Sequence, residues 1–457
     1  MAPAICKSIA LDAGKTSVAL DLNIEFLDKI LSHPRKNNLL AFFKDGFLHE
    51  DVEQDVFGML QDIVNRILSY DPKLVGFSVF TYDCMWSARY LSWMLKKAKP
   101  SIKILLGGSG LFANLAAEVT PAEDLLKHGI IDLYIKGDGE RELYNYLKYG
   151  MFGTGVNQAM IWRQMDNDEI RALPMPNYED YNLDLYDNHM LPILGSRGCV
   201  RNCTFCDVHA HWKKYTWRPG EDIFNEMRAL GEKYGIYRFA FGDSLVNGNQ
   251  KEYRNMIKLM AEWNRSGKPR MSWRSFFIFR PVTSMSEEDW RLTAESGAEN
   301  LLVGIESLAE NVRHDLGKDF SNSDIEFSLQ MARKYGVNLT FLFLIGYVTE
   351  TEQDIEAAVK WWEDHAEYRD IVMVNLGSPL GILKNTPLAE RFTDLGLKWI
   401  GPNDQDWVNQ NSDPATRVRW YETLSNTLKR VGFQEFKPFD NYFIMERIKH
   451  NDGLHKI

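Results

Sequence analysis

The first third of the chain alternates short apolar runs with amphipathic stretches. The apolar runs predict β-strands over residues 17–22, 74–80, 102–106 and 130–135. Apolar residues recur with helical spacing over 85–97, between two of these runs. Strands separated by helices form parallel pairs, because a parallel connection needs a crossover. The pattern therefore predicts a doubly wound, parallel α/β sheet over residues 1–150.

A less regular segment precedes a second alternating series. Residues 151–188 show little periodicity and contain Pro174 and Pro176, so they predict a linker with at most a hairpin over 158–171. After it, apolar runs predict six strands, at residues 191–196, 237–241, 270–277, 300–305, 338–345 and 370–376. Helical patterns separate them, for example over 222–233, 251–264 and 352–365.

Six strand–helix units in series are typical of a partial (β/α)6 barrel of the TIM type. We predict this barrel over residues 189–387. The alternation stops beyond Pro387, and a helical pattern returns over 415–431. Residues 388–457 are therefore expected to form a small C-terminal cap.

Composition and charge narrow the class of protein. Apolar residues make up 45% of the chain and charged residues 25%, which is typical of a folded protein. The net charge is -10 and no basic run is present, so nucleic acid is not an expected partner. No apolar stretch approaches the roughly 18 residues of a membrane-spanning helix, and residues 1–15 do not resemble a secretory signal. A cytoplasmic protein without a membrane partner is expected.

Three of the five cysteines lie close together in the sequence, directly after the first predicted barrel strand. They are Cys199, Cys203 and Cys206. In a reducing compartment this spacing favours metal binding over disulfide formation. Three cysteines leave one iron of a [4Fe-4S] cluster open for a substrate or cofactor, at the strand ends where barrels hold their active sites. The alternative is a zinc site that His209 completes, and the residues alone leave both open.

The cysteine motif resembles the radical S-adenosylmethionine (radical SAM) superfamily. The spacing is C-x3-C-x2-C, with the aromatic Phe205 before the third cysteine. Flanking segments resemble, in chain order, the cobalamin-binding subgroup of that superfamily: 173–178, 196–198, 217–219, 304–307 with Lys318, and 345–352. Segments 75–78, 107–108 and 136–140 are similar to the subgroup's Rossmann-like cobalamin-binding domain. The resemblance covers residues 21–387.

The resemblance implies a role for each site residue of the barrel. The three cysteines would hold a [4Fe-4S] cluster whose open iron binds the amino and carboxylate groups of S-adenosyl-L-methionine (SAM). Phe205 would lie beside the adenine, and Asp243 would accept a hydrogen bond from the methionine ammonium. Glu306 and Ser307 would bond the ribose hydroxyls. A structural role, as a capping carboxylate or a packed aromatic, is the alternative for each of these four.

The resemblance also implies a cobalamin site at the carboxyl edge of the first sheet. Its residues would be Ser78, Gly107, Gly108, Gly137, Gly139 and Glu140. The D-x-H-x-x-G motif of a lower cobalt ligand is absent, because Trp212 stands where its glycine would be, so the corrinoid would bind without a histidine ligand. The subgroup's first strand normally precedes the segment that resembles residues 3–23, and we expect a sheet that lacks this strand.

Taken together, these motifs predict a cobalamin-dependent radical SAM enzyme that methylates an unactivated carbon of a small molecule. Methylcobalamin would deliver the methyl group, and flavodoxin or ferredoxin would supply electrons. Radical SAM chemistry with a vestigial cobalamin domain, such as cyclisation or rearrangement, is the alternative within the family. A zinc-scaffolded binding protein is the alternative outside it. One departure from the family pattern is Tyr347-Val348, where a Pro-Gly turn is usual.

Overall fold

A computed structural model describes most of the chain, namely residues 1–112, 120–150, 161–186 and 189–435. The described residues fall into two compact units, one ending at residue 186 and the other beginning at residue 189. This boundary lies at the end of the segment predicted as a linker, of which residues 151–160 are outside the described part. No helix in the described ranges is long and apolar enough to cross a membrane.

Helices alone occupy the chain before its first strand. They are α1 (Ala2–Asp12), α2 (Leu22–Leu31), α3 (Lys36–Asp45) and α4 (Glu53–Ser69). The strand predicted over 17–22 is wrong. Asp21 instead caps α2, because its carboxylate accepts two main-chain N–H groups of the first helical turn. Phe26 and Ile30 are buried with the four-residue spacing of a helix face.

A parallel sheet of four strands forms the centre of the first unit. The strands are β1 (Leu74–Ser78), β2 (Lys103–Gly107), β3 (Leu133–Gly137) and β4 (Ile161–Arg163). The accompanying helices are α5 (Cys84–Ala98), α6 (Pro121–Lys127), α7 (Glu140–Tyr149) and α8 (Asn167–Arg171). The predicted parallel sheet is confirmed. The hairpin predicted over 158–171, whose first three residues are not described, is wrong because β4 pairs in parallel with β3.

The order of these strands bears on where a ligand can bind. The described strands follow the sequence, β1-β2-β3-β4, without a reversal. Doubly wound sheets bind their ligands at the switch point where the order reverses. The described part of the first unit therefore presents a carboxyl edge but no switch-point crevice.

Glycines at this edge allow neighbouring main-chain segments to approach closely. Gly108 has a φ of +112°, and a Cβ there would lie 2.3 Å from the carbonyl oxygen of Val79. Gly137 has a φ of +87°, and its Cβ would lie 2.2 Å from the carbonyl oxygen of Arg163. The buried Asp138 carboxylate accepts a main-chain N–H of the segment after β4 at 2.7 Å. Close packing within the sheet therefore explains why glycine stands at 108 and 137, two positions that the sequence assigns to cobalamin binding.

The second unit is built on a seven-stranded parallel sheet. Its strands are β5 (Leu191–Ile193), β8 (Arg238–Phe241), β9 (Ser272–Phe277), β10 (Ala298–Glu306), β11 (Asn338–Phe343), β12 (Val372–Asn375) and β15 (Gln434–Glu435). Two short strands, β6 (Ser196–Arg197) and β7 (Thr216–Trp217), form a separate hairpin. Within the sheet, the strands β5, β8, β9, β10, β11 and β12 pair in chain order. The strand β15 joins the edge beside β12. All six predicted barrel strands are confirmed, in the order expected of a partial barrel.

Helices cover one face of this sheet. They are α10 (Gly220–Tyr234), α11 (Gln250–Arg265), α12 (Glu287–Glu295), α14 (Asn322–Tyr335) and α15 (Glu352–Asp364), with the short α9 (Val208–His211) and α13 (Glu310–Asp315) in loops. Alternate residues of the strands are buried, as Leu339, Phe341 and Phe343 are in β11. The opposite face is partly open, because Phe276 on β9 is 43% exposed whereas Thr340 on β11 is buried.

The residues after 387 form a small region that packs on the strand ends. It contains α16 (Pro387–Glu390), the hairpin strands β13 (Lys398–Trp399) and β14 (Trp407–Val408), and α17 (Pro414–Val431). The helix predicted over 415–431 is thus confirmed, while residues 436–457 of the predicted cap are outside the described part. Arg417 on α17 is fully buried and donates to the carbonyl oxygen of Trp407 at 2.8 Å. Gly346 leaves room for it, because a Cβ there would lie 2.2 Å from the Arg417 side chain.

We predict that Gly108→Ala destabilises the protein, whereas Gly107→Ala does not. Alanine at 108 must adopt a strained positive φ and displace the Val79 carbonyl, which we expect to cost about 1–3 kcal/mol in the free energy of unfolding. At Gly107, nothing lies within 4 Å of the Cβ position. Urea unfolding of both variants measures the difference, and equal losses would show that the close approach at Gly108 is unimportant.

Candidate active site

A two-stranded hairpin closes the loop that carries the three cysteines. Its strands β6 and β7 pair in antiparallel fashion directly after β5. Gly198 begins the loop with a φ of +77°, and a Cβ there would lie 2.7 Å from the carbonyl oxygen of Lys214. A side chain does not fit at this turn without strain. Residues 199–206 are therefore held at the carboxyl end of the first barrel strand, as predicted.

The three thiols of this loop lie in a shielded environment. Cys203 is buried, and Cys199 and Cys206 are half-buried. Burial raises the pKa of all three thiols, that of Cys206 to about 12. The Cys199 thiolate also raises the pKa of Cys203 and Cys206, and the Cys203 thiolate raises that of Cys206. The thiols are thus protonated when no metal compensates them, and binding of a metal centre releases their protons.

The fourth ligand of the zinc alternative makes a different contact in the structure. Among the described residues, no three His, Cys, Asp or Glu side chains converge as ligands of a single metal ion. His209, the fourth ligand of that alternative, has its Nε2 atom 2.5 Å from the carbonyl oxygen of Arg201. An iron–sulfur cluster joins thiolates across a larger body than one ion does, so it fits a wider set of cysteines.

A distant segment, residues 315–319, lies alongside the cysteine loop. The Thr204 N–H donates to the carbonyl oxygen of Leu316 at 3.1 Å. A Cβ at Gly317 would lie 3.1 Å from the carbonyl oxygen of Asn202 and 3.6 Å from Cα of Cys203. The side chains of Arg201 and Asp319 form an ion pair at the end of this contact. The two segments therefore pair in opposite directions over four residues.

Tyr347 connects both segments through its hydroxyl group. The hydroxyl lies 2.8 Å from the hydroxyl of Thr204 and donates to the carbonyl oxygen of Asp315 at 3.1 Å. Phe205, one residue further along, packs against the apolar cluster that contains Tyr347 and Trp407. Phe205 thus has the packing role that the sequence left as an alternative, and its adenine contact stays a prediction. At Tyr347-Val348, where the chain departs from the family pattern, the Tyr347 side chain thus contacts the cysteine loop.

Asp243 is buried beneath the same loop. Its Oδ1 atom accepts the N–H of Gly195 at 2.8 Å, and its Oδ2 atom accepts the hydroxyl of Ser196 at 2.6 Å. Burial raises the pKa of this carboxyl to about 7. The carboxylate positions the segment that leads into β6. A carboxylate oxygen can accept a second hydrogen bond, so the predicted contact with a methionine ammonium stays a prediction.

Glu306 forms a buried ion pair with Lys318 at the end of β10. The Nζ atom of Lys318 lies 2.9 Å from Oε1 of Glu306 and 2.7 Å from the carbonyl oxygen of Gly304. A bulge between Gly304 and Glu306 shifts the register of β10, and Glu306 has a φ of +65°. Such a bulge re-aims the side chains that follow it. The Oε2 atom of Glu306 makes no hydrogen bond to any other described residue, so it is the atom that a ribose hydroxyl would reach.

Ser307 donates its hydroxyl to a second buried carboxylate, that of Glu350. The distance from Ser307 Oγ to Glu350 Oε1 is 2.9 Å, and Glu350 Oε2 accepts the N–H of Gly346 at 2.7 Å. Burial raises the pKa of Glu350 to about 7. Glu350 therefore joins the ends of β10 and β11. The Ser307 oxygen also accepts the N–H of Ala309 at 3.3 Å, so the predicted ribose contact would use its one remaining lone pair.

In the first unit, the residues predicted for cobalamin lie together at the carboxyl edge of the sheet. Ser78 and Gly107 are register partners in β1 and β2, Gly137 ends β3, and Gly139 and Glu140 begin α7. Space is open where a Cβ of Gly107 would stand, and the nearby Phe80 side chain is 74% exposed. Their role in binding stays a prediction.

Comparison with known proteins finds a family match within the second unit. Residues 193–361 match the family model described as the Radical SAM superfamily. The chain carries a radical SAM domain. The matched segment begins on β5 and contains all three cysteines, Asp243, Glu306 and Ser307. The resemblance inferred from the cysteine motif is confirmed.

Two curated relatives are methyltransferases by name. An uncharacterized methyltransferase of Pyrococcus horikoshii is 24% identical over 319 residues, which are 66% of this chain and 66% of that protein. The cytidylyl-2-hydroxyethylphosphonate methyltransferase of Streptomyces wedmorensis is 27% identical over 207 residues, 42% of this chain and 37% of that protein. The chain thus matches just under two thirds of the first relative and less than two fifths of the second.

Solved structures share the fold of this chain. The radical SAM methyltransferase TsrM from Kitasatospora setae, solved with tryptophan and a SAM analogue, has a TM-score of 0.65 and 16% identity, over 96% of this chain and 87% of that one. The cobalamin-dependent SAM radical enzyme OxsB, solved with aqua-cobalamin, has a TM-score of 0.62 and 15% identity, over 86% and 65%. These likenesses confirm the predicted fold class.

We predict that Tyr347→Phe loosens the cysteine loop. The variant loses the hydroxyl that joins Thr204 to the Asp315 carbonyl, and an unsatisfied buried group costs about 1–3 kcal/mol. Amide hydrogen exchange in a peptide spanning 199–206 should accelerate roughly tenfold or more. Tyr368→Phe is the control, since Tyr368 is also buried but lies outside this loop. Equal exchange in both variants would contradict the role of Tyr347.

We also predict a pH dependence that arises from Glu350. Its folded-state pKa of about 7 lies above the ordinary value of 4.5, so the stabilising contribution is present below pH 4.5 and lost as the pH rises through 7. Relative to Glu350→Gln, the wild-type free energy of unfolding should fall by roughly 3 kcal/mol over this window. Urea unfolding at several pH values measures this. Glu356→Gln, at an exposed carboxyl, is the control, and a pH-independent difference for Glu350→Gln would refute the prediction.

Proposed function

We propose that the protein is a cobalamin-dependent radical SAM enzyme that methylates an unactivated carbon of a small molecule. The observation that carries this proposal is the placement of three shielded cysteines on a hairpin-closed loop, at the carboxyl end of the first barrel strand of a matched radical SAM domain. Active sites of such barrels lie at this end of the strands.

Cys199, Cys203 and Cys206 would hold a [4Fe-4S] cluster and leave one iron open for SAM. Soft thiolate ligands suit iron–sulfur clusters, and burial of the loop limits access of water. When bound, the cluster supplies the electron for reductive cleavage of SAM. We propose that a flavodoxin or ferredoxin delivers this electron to the cluster. The chain's own residues fix the geometry: Asp243 holds the segment before the loop, and Tyr347 holds the loop itself.

The carboxyl edge of the first sheet would hold the cobalamin. Open space at Gly107 and the exposed ring of Phe80 give a surface that a flat, largely apolar macrocycle can cover. When bound, methylcobalamin supplies the methyl group that is transferred. Ser78 and Glu140 place polar groups at the same edge, where amide substituents of a corrin ring could hydrogen-bond.

The open face of the second sheet supports a small-molecule substrate. Phe276 is 43% exposed although Ser275 and Phe277, its neighbours in β9, are buried. An exposed apolar side chain at a strand of the barrel sheet is typical of the apolar lining of a ligand site.

Radical SAM chemistry without a corrinoid is the second candidate function. One observation favours it: the described strands of the first unit form no switch point, which is where such sheets bind cofactors. The first unit would then have no role in cofactor binding.

Anaerobic reconstitution tests both candidates. We expect the protein, reconstituted with iron, sulfide and hydroxocobalamin, to retain about four irons and one cobalt per chain and to form 5'-deoxyadenosine from SAM under reductant. Alanine at Cys199, Cys203 or Cys206 should lower iron content and 5'-deoxyadenosine formation at least tenfold. Cys84→Ala is the matched control, since this half-buried thiol lies in the first unit.

The outcomes separate the alternatives. Iron and 5'-deoxyadenosine without cobalt would favour the second candidate and refute the cobalamin role. Zinc without iron, or cysteine variants that behave like Cys84→Ala, would refute radical SAM chemistry altogether.

A further inference from the structure

The Lys318–Glu306 ion pair lies directly beside the cysteine loop. Lys318 follows Gly317, whose main chain packs against that of Asn202 and Cys203. The carbonyl oxygen of Leu316 accepts the Thr204 N–H, and the side chain of Asp319 forms an ion pair with Arg201. Because residues before and after Lys318 contact the cysteine loop, Lys318 itself is held beside the loop.

The surrounding structure is arranged to bury this pair. The side chains of Lys318 and Glu306 are only 9% and 12% exposed. Gly304 is needed beside them, because a Cβ there would lie 2.4 Å from Glu306 Oε1 and 2.6 Å from Lys318 Nζ. The backbone of Glu306 adopts the left-handed region, which is strained for a non-glycine residue. A bulge, a glycine and a strained residue together place two opposite charges at the site.

The two charges act on the cysteines in opposite senses. Burial raises the pKa of the Cys199 and Cys203 thiols, and the Lys318 cation lowers both. Glu306 raises the pKa of the Cys203 thiol. Charges are weakly screened in a buried site, so each side chain contributes to the electrostatic potential that a bound group experiences.

We propose that Lys318 and Glu306 are positioning residues that tune the reduction of the metal centre held by the cysteine loop, with Lys318 favouring the reduced state and Glu306 opposing it. The inference rests on the proposed function. A cluster with three thiolate ligands becomes more negative by one charge when it takes up one electron from the reductant. A buried cation stabilises this added charge, and a buried anion destabilises it.

The sign of the change separates this role from a merely structural one. Lys318→Met and Glu306→Gln both break the same ion pair. If the pair only supports the fold, the two variants should disturb the cluster alike. If the charges act on the cluster, the variants should move its midpoint potential in opposite directions.

The experiment is an anaerobic redox titration of each reconstituted variant, monitored by electron paramagnetic resonance in the absence of SAM. We expect a more negative midpoint potential for Lys318→Met and a less negative one for Glu306→Gln. The double variant should return close to wild type, because it removes both charges, and Lys318→Arg should retain the wild-type value. Glu299→Gln is the matched control: it breaks the Arg238–Glu299 pair at the opposite end of the same strand.

Several outcomes would overturn the proposal. Shifts of the same sign in Lys318→Met and Glu306→Gln, no shift in either, or an equal shift in Glu299→Gln would show that the charges do not tune the centre. If Lys318→Met does not fold, Glu306→Gln decides, since only a less negative potential agrees with the proposal. Failure of the wild-type protein to bind iron would instead refute the proposed function, and iron content is measured first for this reason.

Discussion

The pairing of residues 315–319 with the cysteine loop is the contact on which the rest of the site depends. Main-chain contacts and the packing of Phe205 together determine where the thiols of this loop lie. The Thr204 N–H bonds to Leu316, Gly317 packs against Cys203, and the Tyr347 hydroxyl joins the two segments. Because the same segment carries Lys318, the contact that places the thiols also places the charge beside them.

Buried carboxylates fix the strand ends in both units. Asp138, Asp243 and Glu350 each accept a main-chain N–H beyond the end of a strand. These N–H groups have no ladder partner where pairing stops, and a buried unpaired N–H is costly. The arrangement has an energetic cost of its own, since burial raises the pKa of Asp243 and Glu350 to about 7. Rigid strand ends are thus obtained at the expense of stability at neutral pH.

Sequence patterns predict the second unit better than the first, for a physical reason. Six barrel strands and their helices have long apolar runs with a clear period, and all six appear in the sheet. The run over 17–22 is short, and capping by Asp21 outweighs its strand propensity. The pairing of β4 with β3, and that of two-residue strands such as β15, depends on tertiary contacts. The hydrophobic periodicity of a short segment does not predict such contacts. Tyr347 was visible only as a departure from a family pattern, because its contact with Thr204 joins residues far apart in sequence.

The segment Gly304–Ser307 shows why a motif and a structure give complementary information. The motif assigns Glu306 and Ser307 to a ligand, yet internal contacts explain every residue of it: Gly304 leaves room for the ion pair, Ile305 is buried, Glu306 binds Lys318, and Ser307 binds Glu350. A ligand could still bond to the Glu306 carboxylate and to one lone pair of the Ser307 oxygen, whose other lone pair accepts the Ala309 N–H. A ligand at this site would therefore contact groups whose positions are already fixed by buried charges, so it pays little ordering entropy on the protein side.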